Sequence, residues 1–172
     1  MRTELLLIGG ASGVGKTTAA LALHEHLKRE HVMHAVIEGD YLDLAEPAPH
    51  EHFSAAGLAE RNLAAVWGNY RELGYRRLVL TNTVSVLFAA DLAAAMGDEP
   101  RVTAVLLRAD VSAVAARLAG RPESIDAEAD SEASARSGSH LDGAAGNDVH
   151  RLDTDGLSPD QVADRLRAIV GW

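Results

Sequence analysis

The sequence predicts an α/β fold, a three-layer, doubly wound sandwich around a five-stranded parallel sheet. Three observations carry this reading. Short apolar runs alternate with longer stretches of helical period along the chain. The first run, residues 4–9 (ELLLIG), is continuously apolar, as a strand covered on both faces must be. Five such runs are spaced widely enough for a helix to cross between them.

Residues 4–9 are the first strand, and Lys16 to Glu30 reads as a helix because Ala19, Leu23 and Leu27 recur every four residues on one face. Residues 33–40 (MHAVIEGD) form a second strand that ends in an acid. Two prolines and two histidines mark 45–54 as a loop. Leu58, Leu63, Val66, Tyr70 and Leu73 then define a long amphipathic helix closed by Gly74, in which Trp67 and Tyr70 serve packing. Residues 76–83, 101–110 and 148–156 are the third, fourth and fifth strands. The last helix is signalled by Ser158 as N-cap, Pro159 at its first position, Gln161 three residues after the cap, and Val162, Leu166 and Ile169 beyond.

With 172 residues the chain suits one domain spanning 1–172. The absence of cysteine closes off disulfide, zinc-thiolate and thiol-nucleophile chemistry and suits a cytoplasmic setting. The opening apolar run is too short for a signal-peptide core or a membrane span, so no membrane partner is expected. A formal net charge of −9 argues against nucleic acid as a partner. Between Pro122 and Asp160 ten acidic residues stand against two arginines, so most of that charge lies in one segment.

Between the first strand and the first helix, Gly10, Ala11, Ser12, Gly13, Val14, Gly15, Lys16 and Thr17 fit G-x-x-x-x-G-K-[ST] in full, with Thr18 following. Glycines let successive backbone N–H groups converge on one anion, the helix start adds its dipole, Lys16 supplies a point charge to the β- and γ-phosphates, and the Thr17 hydroxyl is placed for Mg²⁺. This is a P-loop, the fold is the P-loop NTPase sandwich, and the expected cofactors are ATP and Mg²⁺. The chain has no N-K-x-D motif, and its one D-x-x-G string, Asp153 to Gly156, lies far from any switch position, which disfavours a GTPase. It is also short for a ring ATPase.

The architecture resembles the P-loop small-molecule and nucleotide kinase superfamily over essentially the whole chain. The end of the second strand, IEGDYL, resembles the "GD" of adenylylsulfate and gluconate kinases, and an aspartate at the same strand end acts as base in the chloramphenicol phosphotransferase type. That resemblance implies that Asp40 takes or orients the acceptor hydroxyl's proton, or holds a Mg²⁺-bound water; a carboxylate at a strand's carboxyl end beside a phosphate site suits such a task. The third strand ends in Thr81 and Asn82, where many NTPases carry a metal-holding acid, so Asn82 and Thr83 are expected either to bond substrate or to satisfy the strand-end backbone.

Arg117 and Arg121 are four apart on the helix after the fourth strand, and the resemblance makes them lid arginines that meet the transferring phosphoryl group. The lid is expected over 117–147, with 123–148 small, polar and acidic and a disordered insert as its rival reading. Arg61 is nominated for an anionic part of the acceptor. His50 and His52 lack an evident third ligand, which leaves Thr17 as the metal-binding residue. The resulting expectation is a kinase moving the γ-phosphate of ATP to a hydroxyl of a small-molecule acceptor, with a nucleotide-binding regulatory module, or a nucleotide or nucleoside kinase, as alternatives.

Overall fold

The computed structural model describes residues 2–53, 57–119 and 127–172. Five strands, β1 (Glu4–Gly9), β2 (Ala35–Glu38), β3 (Arg77–Thr81), β4 (Arg101–Arg108) and β5 (His150–Asp153), form one sheet in the order β2-β3-β1-β4-β5, with every pairing parallel. The helices are α1 (Lys16–Arg29), α2 (Pro49–His52), α3 (Leu58–Glu72), α4 (Ala89–Met96), α5 (Val111–Ala119), α6 (Ala127–Ala144) and α7 (Pro159–Val170). Residues 2–38 thus carry β1, α1 and β2 in the alternation that the sequence implies.

Period-two alternation in β1 builds both cores. Leu5 and Leu7 face one side, with Trp67 and Leu63 of α3, Met96 of α4, and Leu141 and Ala145 at the end of α6. Leu6 and Ile8 face the other, against Ala19, Leu23 and Leu27 of α1 and Val162, Leu166 and Val170 of α7. Trp67 is fully buried, consistent with packing.

The α7 start forms as its residues require: Ser158 Oγ accepts from the Gln161 amide (3.2 Å), and Gln161 Oε1 accepts from the Ser158 amide (2.8 Å). Several expected strands are shorter than their apolar runs. β2 stops at Glu38, and Asp40 lies in a 3-10 turn over Gly39–Tyr41. β3 stops at Thr81 because Asn82 turns its side chain back onto the Val84 amide (2.9 Å). The loop expected over 45–54 contains α2, which Pro49 starts at a position where a missing N–H costs nothing.

The acidic segment also differs from the disordered reading in its described part, since 127–144 is one helix. From 132 onward, among the residues whose burial is described, Ser134, Leu141 and, just beyond the helix, Ala145 are buried, a narrow inward stripe that leaves the other positions free to be polar. An ion-pair network anchors its far end. Arg108 of β4 bonds Asp153 of β5 (2.8 Å) and Asp142 of α6 (3.1 Å), and Arg151 bonds the other Asp142 oxygen (2.8 Å). The hydrogen bond from Arg151 holds the Asp142 carboxyl below its ordinary range, and the one to Asp153 raises the Arg108 guanidinium.

Between α1 and β2, His24 Nδ1 and His34 Nε2 share a hydrogen bond of 2.9 Å, and His34 Nδ1 faces the Val32 carbonyl at 2.7 Å. Donation to that carbonyl leaves His34 Nε2 as the unprotonated acceptor. Burial, assisted by His24 and Arg77, pushes the His34 imidazole below its usual value despite the opposing pull of the carbonyl. A histidine with a depressed native pKa binds fewer protons than the unfolded chain, so its contribution is present above about pH 6.5 and is lost as the pH falls through the native value. The melting temperature should therefore fall between pH 7.5 and 5.5, and His34→Gln should flatten that fall; an equally steep fall in the variant would remove this pair as its source.

Candidate nucleotide and acceptor site

The site assembles at the carboxyl edge of the sheet, where β1 runs into the glycine-rich loop. Gly10 adopts φ 143°, and a Cβ there would lie 2.7 Å from the Leu107 carbonyl oxygen of β4, so the loop passes too close for any side chain. Gly15, at φ 104°, is the N-cap of α1, and the first turn of that helix carries no acid. Its leading N–H groups therefore meet no neighbouring carboxylate in that turn, which suits an anion. Lys16 is buried, and its ammonium donates to the carbonyls of Gly10 (3.0 Å) and Ala11 (3.3 Å).

The Thr17 hydroxyl donates to Glu38 Oε2 at 2.6 Å. Glu38 Oε1 is buried without a hydrogen-bond partner among the described residues. A carboxylate with one oxygen on the P-loop threonine and the other buried and unsatisfied fits a hydrated divalent cation. Glu38 is the acid that reading the third strand alone misses. The signal was present in IEGD, where two acids stand two apart, but only the fold shows that the first one reaches Thr17.

Asp40, the second acid, is held from β3. The Asn82 side-chain amide donates to Asp40 Oδ1 at 2.8 Å, and the Thr83 backbone amide donates to the same oxygen at 3.3 Å. Asp40 is exposed, and its Oδ2 carries no hydrogen bond among the described residues. Asn82 is thus tied at both ends, its amide to Asp40 and its oxygen to Val84.

Arg117 of α5 donates to the Val14 carbonyl at 3.0 Å, which brings its guanidinium beside the loop. With Val14, Gly15, Thr18, Leu157 and Pro159 it lines a cavity of about 320 Å³ between the P-loop and the start of α7. Ser134 of α6 caps the other side of the loop by donating to the Ser12 carbonyl at 2.6 Å. Gly13 completes the loop at φ 77°.

Arg121 lies outside the described residues, as do 120–126 of the expected lid. Arg61 is exposed in the first turn of α3, and the neighbouring Asn62 side chain donates to the Leu42 carbonyl, pinning the segment after β2. The His50 side chain likewise lies outside the description, and His52 is exposed. No cluster of three or more histidine, aspartate or glutamate side chains is arranged for a metal among the described residues.

An all-parallel sheet with the phosphate loop after its central strand defines a P-loop α/β protein of kinase-like architecture. The AAA domain family model matches residues 6–135, and the chain belongs to that family. Comparison with curated protein sequences finds no match. Among solved structures, the chain is similar to the Deinococcus radiodurans tunicamycin resistance protein, with 26% identity, TM-score 0.64, and 99% of this chain and 96% of that one covered. It shares its fold with a gluconokinase from Sinorhizobium meliloti 1021 at 16% identity and TM-score 0.65, covering 99% and 94%. It also shares it with the Mycobacterium tuberculosis APS kinase, solved with AMPPNP and APS, at 20% identity and TM-score 0.60, covering 99% of both chains. No described helix is long and apolar enough to cross a membrane.

One residue links the two acids. A Cβ on Gly39 would lie 2.6 Å from the Thr81 carbonyl oxygen and 3.1 Å from Asn82 Cβ, so alanine there must push the Asp40 turn away from β3. Gly39→Ala should cost about 1–3 kcal/mol, at about 2–4 °C of melting temperature for each. An unchanged melting curve would show that the turn moves freely.

Proposed function

We propose that this protein is an ATP- and Mg²⁺-dependent phosphotransferase that moves the γ-phosphate of ATP to a hydroxyl of a small-molecule acceptor. The observation that carries this reading is the pair of acids on either side of Gly39: Glu38 bonded to the P-loop threonine, and Asp40 fixed through one oxygen with the other open. A carboxylate oriented apart from the metal acid, at the mouth of the site, suits a base that receives the proton of an attacking acceptor hydroxyl.

The loop amides and Lys16 bind the β- and γ-phosphates, and the cavity beside Arg117, Leu157 and Pro159 takes the base. Thr17 and Glu38 would hold Mg²⁺, which would supply neutralisation of the phosphate charge during transfer. Asp40 Oδ2 accepts the proton of the acceptor hydroxyl as that oxygen bonds to the γ-phosphorus and the bond to the ADP oxygen breaks. Arg117, freed from the Val14 carbonyl, and Arg121 meet the charge on the transferring group. Asn82 positions Asp40. The segment 117–147 acts as the lid, with α6 as the part that rests on the loop through Ser134. The kinase folds among the solved relatives support this reading, and the resistance protein among them supports a drug-like as well as a metabolic acceptor.

The test is Asp40→Asn, which keeps the shape and the hydrogen-bonding oxygen but removes the base. Acceptor-dependent ADP release should fall by 10²-fold or more, while the affinity for an ATP analogue stays within a few-fold. Retained turnover would remove Asp40 from the chemistry. Tight nucleotide binding with no turnover in the wild type, over broad pools of hydroxyl compounds, would favour a nucleotide-gated regulatory module.

A further inference from the structure

Two segments meet at Asp40, and each carries exposed apolar side chains. Tyr41 directly follows the aspartate, and Leu44 and Phe53 lie on the same stretch before α3; Val84 directly follows Thr83, whose amide holds Asp40, and Phe88 ends the 3-10 turn over Ser85–Leu87. These five side chains are between 39% and 73% exposed, and they make up five of the nine most exposed large apolar side chains among the described residues. The chain has only two phenylalanines, and both are here. Single exposed apolar residues mean little, but five carried on two segments that join at Asp40, with Tyr41 and Val84 next to the joining contacts, make these segments a candidate binding surface.

The segments are tied to one another and to the body of the protein. Asn82 joins Asp40 to Val84, the Ser85 hydroxyl donates to the Asn82 carbonyl (3.2 Å), and Asn62 of α3 holds the Leu42 carbonyl. The charge carried by these segments is mostly negative. From Gly39 to Tyr70 the sequence has a single lysine or arginine, Arg61, against Asp40, Asp43, Glu46, Glu51 and Glu60, and from Asn82 to Pro100 it has none. An acceptor with a carboxylate or sulfate would enter a field of its own sign with one exposed cation to meet it.

Resting on the kinase reading, we infer that the acceptor is a hydroxyl compound with an apolar body and no anionic group, and that Tyr41, Leu44, Phe53, Val84 and Phe88 set this specificity. The apolar part lies on the two segments, which brings its hydroxyl to Asp40.

The experiment uses the whole protein and n-alkyl β-glucosides from butyl to octyl below their micellar concentrations, each beside the n-alkyl β-glucuronide of the same chain length. Binding is measured on protein saturated with AMPPNP and Mg²⁺, and turnover is measured separately with ATP. Each buried methylene is worth up to ~0.8 kcal/mol, so glucoside affinity should rise by as much as about fourfold per methylene. The glucuronides should bind at least tenfold more weakly. Phe53→Ser and Phe88→Ser, both at exposed positions, should flatten the chain-length slope, and any turnover should change through KM with kcat held. Affinity independent of chain length, or glucuronides bound equally well, overturns the inference. So does a slope unaffected by the serine variants, or a change of sedimentation behaviour in them that assigns the apolar side chains to contact with a second copy. A chain-length slope in binding without phosphate transfer to any glucoside keeps the apolar acceptor site and counts against phosphotransfer instead.

Discussion

The whole site hangs on the position of β1, buried on both faces and clamped between β3 and β4 in parallel register. Because all the pairings are parallel, every strand delivers its carboxyl end to the same edge, and whatever chemistry the chain performs must be built there. The tight passage of Gly10 against Leu107 fixes where the phosphate loop leaves the sheet. From that point the direction of α1, and with it the placement of Lys16 and Thr17, follows. β3 lies between β1 and β2, yet Glu38 at the end of β2 reaches Thr17 in the first turn of α1, while Asp40 in the turn that follows is held from the end of β3.

Two kinds of force hold the parts around that edge. On one face α1 and α7 share an apolar seam through Leu23, Leu27, Leu166 and Val170, which seats the helix behind the phosphate loop on the sheet. Around the loop itself the contacts are polar and replaceable: Lys16 and Arg117 donate to loop carbonyls, and Ser134 donates to another. Carbonyl acceptors give up a cation at small net cost once a phosphate offers a charged alternative. An apolar base with an exchangeable polar rim suits a site that binds and releases a polyanion. The Arg108, Asp142, Arg151 and Asp153 network keeps the far end of α6 on the sheet while its near end bears on the loop.

The features that were legible in the sequence are those encoded locally. The P-loop and the α7 capping box are written in adjacent residues, so spacing alone found them. β1 was legible because its apolar run has no polar gap. Strand ends were read too long wherever a side chain captures the backbone early, as Asn82 does after β3. Glu38 stayed hidden because its role depends on strand order, a non-local property, and its spacing from Asp40 does not say which of the two meets Thr17. α6 lacks an apolar period because small residues do its packing: Gly138 approaches Ala11, and Ser134 uses its hydroxyl rather than its bulk. The acceptor side was read for charge through Arg61, whereas the exposed apolar residues around Asp40 stand out only once the segments that carry them are brought together.

On the proposed function, the loop and helix start after β1 and the end of β2 form one metal-nucleotide site through Thr17 and Glu38. Its most direct test is calorimetric titration of AMPPNP into the wild type and Glu38→Gln, each with and without Mg²⁺. Mg²⁺ should tighten binding in the wild type by tenfold or more, and most of this gain should be lost in the variant while metal-free affinity is unchanged. An equal gain in both proteins would place the metal elsewhere and separate the two strand ends.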